Sequence, residues 1–193
     1  MEENEEWVES KAKESKGHNF VKTLLGLAGY KIMEYGIENH NQDIIKEITG
    51  NYDSDTNKRL MCMPDFVVVD PDTKVAELVE VKYREMPDYW NWEKSNLWFK
   101  YRKMKAYLDN WKDMTLIIVL NVEPYCFCIR MSDIDWCNHF KGKRDGGHDT
   151  GYLDELWNFY GSYKDIKDVF PKINVEHFKK TLDILSLNKE EKE

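Results

Sequence analysis

The run MPDFVVVDPDTKVAELVEVKYRE, residues 63–85, decides how this chain folds. It contains two largely apolar stretches separated by residues 70–74, DPDTK, where proline and aspartate favour a tight connection. Both stretches are rich in residues that favour β-strands, valine above all. The run therefore predicts a β-hairpin with strands at residues 65–70 and 75–82.

Three charged side chains come together at the open end of this hairpin. Alternate residues of a strand face the same side, so Glu80 and Lys82 share one face while Val81 faces the apolar layer. Asp65 opens the preceding strand, and antiparallel pairing brings it opposite the Glu80 to Lys82 region. Two adjacent carboxylates repel each other unless a cation lies between them, and Mg²⁺ suits such a pair. The pattern predicts a metal-dependent site for phosphodiester hydrolysis, in which Lys82 positions the attacking water or neutralises developing charge.

The same residue letters recur elsewhere in the chain, so their structural context decides between interpretations. Pro-Asp occurs again at residues 71–72 and 87–88, and acid-x-Lys triplets occur at several other positions. Only Asp65, Glu80 and Lys82 lie on two apolar strands joined by a turn. The alternative interpretation is an ordinary hairpin with exposed charges at its ends.

The chain also resembles the PD-(D/E)XK nuclease superfamily, whose members share the restriction-endonuclease-like fold. Residues 17–32, GHNFVKTLLGLAGYKI, are similar to the first helix and first strand of that fold, including its Gly-aromatic turn. The resemblance covers about residues 17–130. It implies an α/β fold with a mixed central β-sheet flanked by helices, within one domain of residues 1–193. A helical C-terminal extension is expected over about residues 131–193.

The resemblance also implies roles for individual residues. Asp65 and Glu80 would bind Mg²⁺ or Mn²⁺, with the Val81 carbonyl as a further ligand, and Lys82 would be catalytic. DNA would be the substrate, while endonuclease or exonuclease action and a homodimeric state are left open. The alternative is a catalytically inactive module that keeps the fold in order to bind nucleic acid or protein.

One position departs from the family pattern. Many members carry a glutamate on the first helix, about three turns before the Gly-aromatic pair, whereas this stretch contains His18 and Asn19. His18 shares a helical stripe with apolar residues, so it could reach the site from its edge as a catalytic residue. It could equally be a surface histidine, and Glu34 and Glu38 are alternative donors of a third carboxylate.

Residues 92–111 are predicted to form the longest helix. The apolar face at helical spacing comprises Leu97, Tyr101, Met104, Leu108 and Trp111. A neighbouring line comprises Asn96, Lys100, Lys103 and Tyr107. Lys103 to Tyr107 resembles the Gln-x-x-x-Tyr box of RecB-like nucleases, which implies that these two residues contact nucleic acid. Lys100 and Arg84 would add positive charge there. The alternative is a solvated lysine flank beside a core tyrosine.

The other elements are predicted more coarsely. Further strands are expected at residues 30–35, 115–121 and 125–130, and further helices at residues 1–16, 17–29, 39–49, 152–160 and 175–186. Loops are expected at residues 50–60 and 141–151, the second of them basic and Gly-rich.

Composition limits the remaining possibilities. The chain has 193 residues, 41% of them apolar, and no apolar run of membrane-spanning length, so one cored domain is expected and a membrane partner is not. A net charge of −8 argues against a protein that coats DNA, although local basic patches can act within an acidic whole. The N-terminus is acidic, and the spacing of Cys62, Cys126, Cys128 and Cys137 matches no metal-binding signature. A cytoplasmic protein with buried, unligated cysteines is expected.

Overall fold

The computed structural model describes residues 5–37, 42–48, 54–87, 98–134, 140–144, 154–158 and 163–190. The helices are α1 (Glu5–Leu27), α2 (Gln42–Ile48), α3 (Asp55–Met61), α4 (Tyr101–Trp111), α5 (Ile166–Val169) and α6 (Val175–Glu190). The strands are β1 (Lys31–Glu34), β2 (Phe66–Val69), β3 (Ala76–Arg84), β4 (Trp98–Lys100), β5 (Thr115–Leu120), β6 (Cys126–Arg130), β7 (Phe140–Arg144) and β8 (Asp154–Asn158).

A five-stranded mixed sheet forms the centre of the fold, with strand order β1-β2-β3-β5-β6. β3 and β5 are parallel, whereas the other neighbouring strands of this sheet pair antiparallel. The predicted hairpin is confirmed, since β2 and β3 pair antiparallel with Phe66 opposite Val79. The prediction of a mixed α/β architecture is therefore confirmed, and β3 is the central strand of its sheet.

Apolar side chains cover both faces of this sheet. All six residues of β5, TLIIVL, are buried, as expected for a strand covered on both sides. On one face the strands pack against α1, α5 and α6, and on the other they pack against α4. Cys126 and Cys128 are two residues apart in β6 and therefore share the face on the α1 side, whereas Cys62, at the end of α3, belongs to the cluster on the α4 side.

Helix α1 crosses the central strand at very short range. An added Cβ at Gly17 would lie 3.1 Å from Tyr83 Cβ and 3.2 Å from Val81 Cγ1. Glycine at this position lets the helix backbone approach β3 more closely than any residue with a side chain would allow. The next residue of the helix, His18, is thereby carried to the open end of the β2–β3 hairpin.

Several predicted elements were wrong. Residues 55–61 form α3 rather than a loop, because the Ser54 side chain accepts a hydrogen bond from the Asn57 amide at 3.3 Å and caps the helix. The helix predicted at residues 92–111 begins only at Tyr101, so α1, with 23 residues, is longer. Residues 88–97 lie outside the described part of the chain.

The C-terminal third contains strands that were not predicted. Residues 154–158 form β8 instead of a helix, and residues 140–144 form β7 within the segment assigned to a basic loop. Together with β4 they build an antiparallel sheet of order β4-β8-β7. The expected helical extension over about residues 131–193 therefore contains strands as well, and α6 confirms the last predicted helix. None of the helices in the described ranges is long and apolar enough to cross a membrane.

Candidate functional site

The hairpin register sets Asp65 opposite Glu80. Because Phe66 pairs with Val79, the adjoining residues at the start of β2 and in the middle of β3 come to face each other. The Tyr35 amide donates to the Asp65 carbonyl at 2.9 Å, which ties this end of β2 to β1. Asp65 and Glu80 are 2% and 3% exposed. Buried carboxylates require hydrogen-bond donors or positive charge nearby, and both have them.

The Asp65 carboxylate accepts a main-chain hydrogen bond that a carbonyl of the neighbouring strand would otherwise accept. β2 begins at Phe66, and the Val81 amide of β3 donates to Asp65 Oδ2 at 2.7 Å. The buried Val81 amide, which lies beyond the end of β2, thus has a hydrogen-bond acceptor. Burial raises the pKa of Asp65, but His18, Lys82 and the Val81 amide together lower it below its ordinary value. Asp65 is therefore ionised at neutral pH.

His18 reaches the same carboxylate from α1. Its Nε2 lies 3.2 Å from Asp65 Oδ2, and its ring packs edge-on against Phe66 with the centroids 5.0 Å apart. The contact is at ion-pair distance but is not aligned as a hydrogen bond, so Nε2 is a buried nitrogen without a hydrogen-bond partner among the described residues. Burial lowers the pKa of His18, but the direct side-chain contact with Asp65 and the negative charge of that carboxylate more than offset this, so the pKa is raised.

The Glu80 carboxylate binds the other two polar groups of the site, the Lys82 ammonium and the Tyr107 hydroxyl. Its Oε1 accepts hydrogen bonds from the Lys82 ammonium and from the Tyr107 hydroxyl. Lys82 Nζ also donates to the Val81 carbonyl at 3.1 Å and lies 5.9 Å from the centre of the Tyr107 ring. Burial lowers the pKa of Lys82, but the charges of Glu80 and Asp65 raise it above its ordinary value. Lys82 therefore keeps its positive charge at neutral pH.

Tyr107 lies in the core, as the alternative interpretation of its segment predicted. It is 2% exposed and packs beside Met104, so it does not form the exposed flank of α4 that contact with nucleic acid would require. Burial, together with the charge of Glu80, raises its pKa well above the ordinary value, so the hydroxyl stays protonated and donates. Sequence reasoning singled out Tyr107 but assigned it to nucleic acid instead of to Glu80.

The other predicted site residues make contacts of their own or lie outside the described part of the chain. Arg84 Nη1 donates to the Tyr83 carbonyl at 3.0 Å, and the guanidinium lies 5.5 Å from the centre of the Phe99 ring. Burial lowers the pKa of Arg84. Glu34 forms a salt bridge with Lys22 at 2.7 Å. Glu38 and the side chains of Lys100 and Lys103 lie outside what the structure describes.

The donor chemistry of the site fits a hard divalent cation. The Asp65 and Glu80 carboxylates and the Val81 carbonyl are oxygen donors of the kind that Mg²⁺ and Mn²⁺ prefer, and such ions keep several waters. Within the described ranges, no three His, Cys, Asp or Glu side chains are grouped as a complete metal site. The described side chains therefore supply at most part of the ligand set of such an ion.

No model of a known protein family matches the chain, and no curated protein matches it either. The functional assignment therefore rests on the side chains described above.

Proposed function

We propose that this chain is a Mg²⁺- or Mn²⁺-dependent nuclease that hydrolyses phosphodiester bonds of DNA. The observation that supports it is the grouping of two buried carboxylates, Asp65 and Glu80, with the ammonium of Lys82. Burying such charges is unfavourable compared with apolar packing, so a purely structural role gives little reason for them. Perturbed titratable groups of this kind concentrate at functional sites. The resemblance to PD-(D/E)XK nucleases, with a restriction-endonuclease-like core, belongs to the same proposal.

The chemistry divides between a metal and the side chains around it. Held by Asp65, Glu80 and the Val81 carbonyl, the metal would lower the pKa of a bound water and stabilise charge on a phosphate oxygen. Lys82 carries a retained positive charge beside both Glu80 and the Val81 carbonyl, so its Nζ can orient the attacking water or neutralise developing charge. His18 contacts Asp65, so its Nε2 can hold a proton next to that carboxylate. The apolar surroundings strengthen each of these interactions.

The activity can be tested by incubating the protein with branched, single-stranded and duplex DNA in Mg²⁺, Mn²⁺ or chelator. Replacing Lys82 with methionine keeps the length of the side chain and removes its charge, which should slow cleavage by about 10²–10³-fold while the fold is retained. Lys105→Met is the matched control, because Lys105 is an exposed lysine of α4 that pairs with Asp109 at 2.7 Å. A Lys82→Met protein as active as the wild type would show that another residue has this role.

Metal binding can be tested separately by titrating Mn²⁺ into wild type and Asp65→Asn in a calorimeter. Asparagine keeps an oxygen that can accept the Val81 amide, so it removes the charge with less damage to the strand than alanine would cause. We expect the variant to bind Mn²⁺ more weakly and the wild type to gain thermal stability with metal, because a ligand of the folded state stabilises it. Equal binding by both proteins would contradict the site.

One observation favours the alternative of a non-catalytic binding module. Lys82 already donates to Glu80 and to the Val81 carbonyl, so its ammonium occupies two of the three proposed oxygen ligands from within the chain. A protein that binds DNA but cuts none of the three forms with either metal would establish this alternative.

A further inference from the structure

We propose that Tyr107 is a positioning residue for the Glu80 carboxylate and makes no contact with nucleic acid. This inference rests on the proposed function, since it assigns Tyr107 to the metal-binding half of the same site. Its basis is the hydrogen bond from the buried Tyr107 hydroxyl to Glu80 Oε1. The bond connects α4, on one face of the sheet, to the central strand β3.

The surroundings of Tyr107 fix its ring in place. The ring belongs to a cluster that includes Phe99, Met104, Met114 and Leu116, and it is 2% exposed. A side chain packed in this way has few other rotamers open to it, so the direction of its hydroxyl is set by the core. Because the hydroxyl is directed at Glu80, a phosphate outside the core would find no donor at this residue.

The hydroxyl acts on the carboxylate together with Lys82. Glu80 Oε1 accepts from both groups, so the Tyr107 bond holds this oxygen from α4 while Lys82 holds it from the same strand. Lys82 has a long, rotatable side chain, whereas the tyrosine donor is fixed by packing. Hydrogen bonds that orient a ligand typically change metal affinity or activity by about 10–100-fold when they are removed. Tyr107 therefore holds Glu80 in its binding orientation by a bond that does not depend on Lys82.

The test is Tyr107→Phe, which keeps the ring and deletes the hydroxyl. Titration with Mn²⁺ alone should show about 10–100-fold weaker binding, and cleavage should lose kcat with an unchanged KM for DNA. Tyr30→Phe is the matched control, because Tyr30 is also buried, lies on the other face of the sheet, and accepts the Lys172 amide at 3.4 Å. It should bind Mn²⁺ like the wild type.

Four results would overturn the inference in distinguishable ways. Unchanged Mn²⁺ binding with a raised KM would make Tyr107 a substrate contact, and unchanged binding and cleavage would leave it no role at the site. Met104→Leu disturbs the packing of α4 but keeps the Tyr107 hydroxyl. If this variant lost as much Mn²⁺ affinity as Tyr107→Phe, the loss in Tyr107→Phe would be due to packing. Wild type that binds no divalent metal would refute the proposed function together with this inference.

Discussion

Replacing Gly17 with alanine tests how closely α1 must approach β3 to bring His18 to Asp65. The new methyl group would lie 3.1 Å from Tyr83 Cβ and 3.2 Å from Val81 Cγ1, closer than ordinary van der Waals contact. Tyr83 Cβ is attached to the backbone of a strand inside the sheet, so it cannot rotate away. The helix must therefore move outward by a few tenths of an ångström, and His18 moves with it.

The expected change in the free energy of unfolding follows from a comparison with Gly26, a second glycine of α1. An added Cβ at Gly26 meets nothing within 4 Å, so Gly26→Ala should raise the free energy of unfolding by up to about 1 kcal/mol, the helix preference of alanine. Gly17→Ala gains a similar preference, but overpacking costs about 1–3 kcal/mol. We therefore expect a net loss of roughly 0–2 kcal/mol at Gly17 and a gap of about 1–3 kcal/mol between the variants.

Urea unfolding followed by tryptophan fluorescence measures both free energies on the same scale. Mn²⁺ titration of the folded Gly17→Ala protein should also show weaker binding if His18 contributes to the site. Equal stabilisation by the two substitutions would refute the close approach of α1 to β3. A destabilised Gly17→Ala protein with unchanged Mn²⁺ affinity would confirm the packing and separate His18 from the metal.

Three further outcomes are expected. Lys100→Ala/Lys103→Ala should flatten the salt dependence of DNA binding by about one to two units of slope, measured by titration at several salt concentrations, and an unchanged slope would exclude phosphate contacts there. Asp70→Asn should destabilise the protein at neutral pH but not at strongly acidic pH. The Lys172 hydrogen bond lowers the pKa of Asp70 in the folded protein. The stability that the Asp70 carboxylate contributes is therefore present above its unfolded-state pKa and is lost as the pH falls through its folded-state pKa. Urea unfolding at several pH values measures this loss. The purified protein should be colourless, because no iron cluster is expected. Absorbance at about 400 nm would indicate such a cluster.

The central hairpin and its charged end could be predicted from local information. Alternation and turn chemistry fix which residues of β2 and β3 pair, and that register alone places Asp65 opposite Glu80. The contact between His18 and Asp65 was suggested by helical periodicity, but its short distance depends on Gly17, whose role appears only when α1 is packed on the sheet.

The elements that escaped prediction depend on distant partners. The strand at 98–100 pairs with residues 156–158, and short strands of this kind acquire their conformation from the neighbour, not from their own composition. The face of α4 was misjudged for a related reason. Met104 and Leu108 were assigned to the buried face, yet Tyr107 is as deeply buried as Met104 and more deeply than Leu108, because Glu80 supplies the polar partner that its hydroxyl needs. Only the Ser54 cap of α3 had a local signal that could have been recognised.

The Val81 amide gives the site a spectroscopic probe that does not depend on catalysis. Val81 belongs to the central strand β3, and its amide proton is donated to the Asp65 carboxylate. The NMR resonance of this proton should therefore lie downfield and respond to the charge on that one side chain. A cation that binds Asp65 withdraws electron density from the acceptor oxygen and should move this resonance, while amides of β6 remain in place. Occupancy of the site can thus be followed at a single backbone proton, in the absence of any nucleic acid.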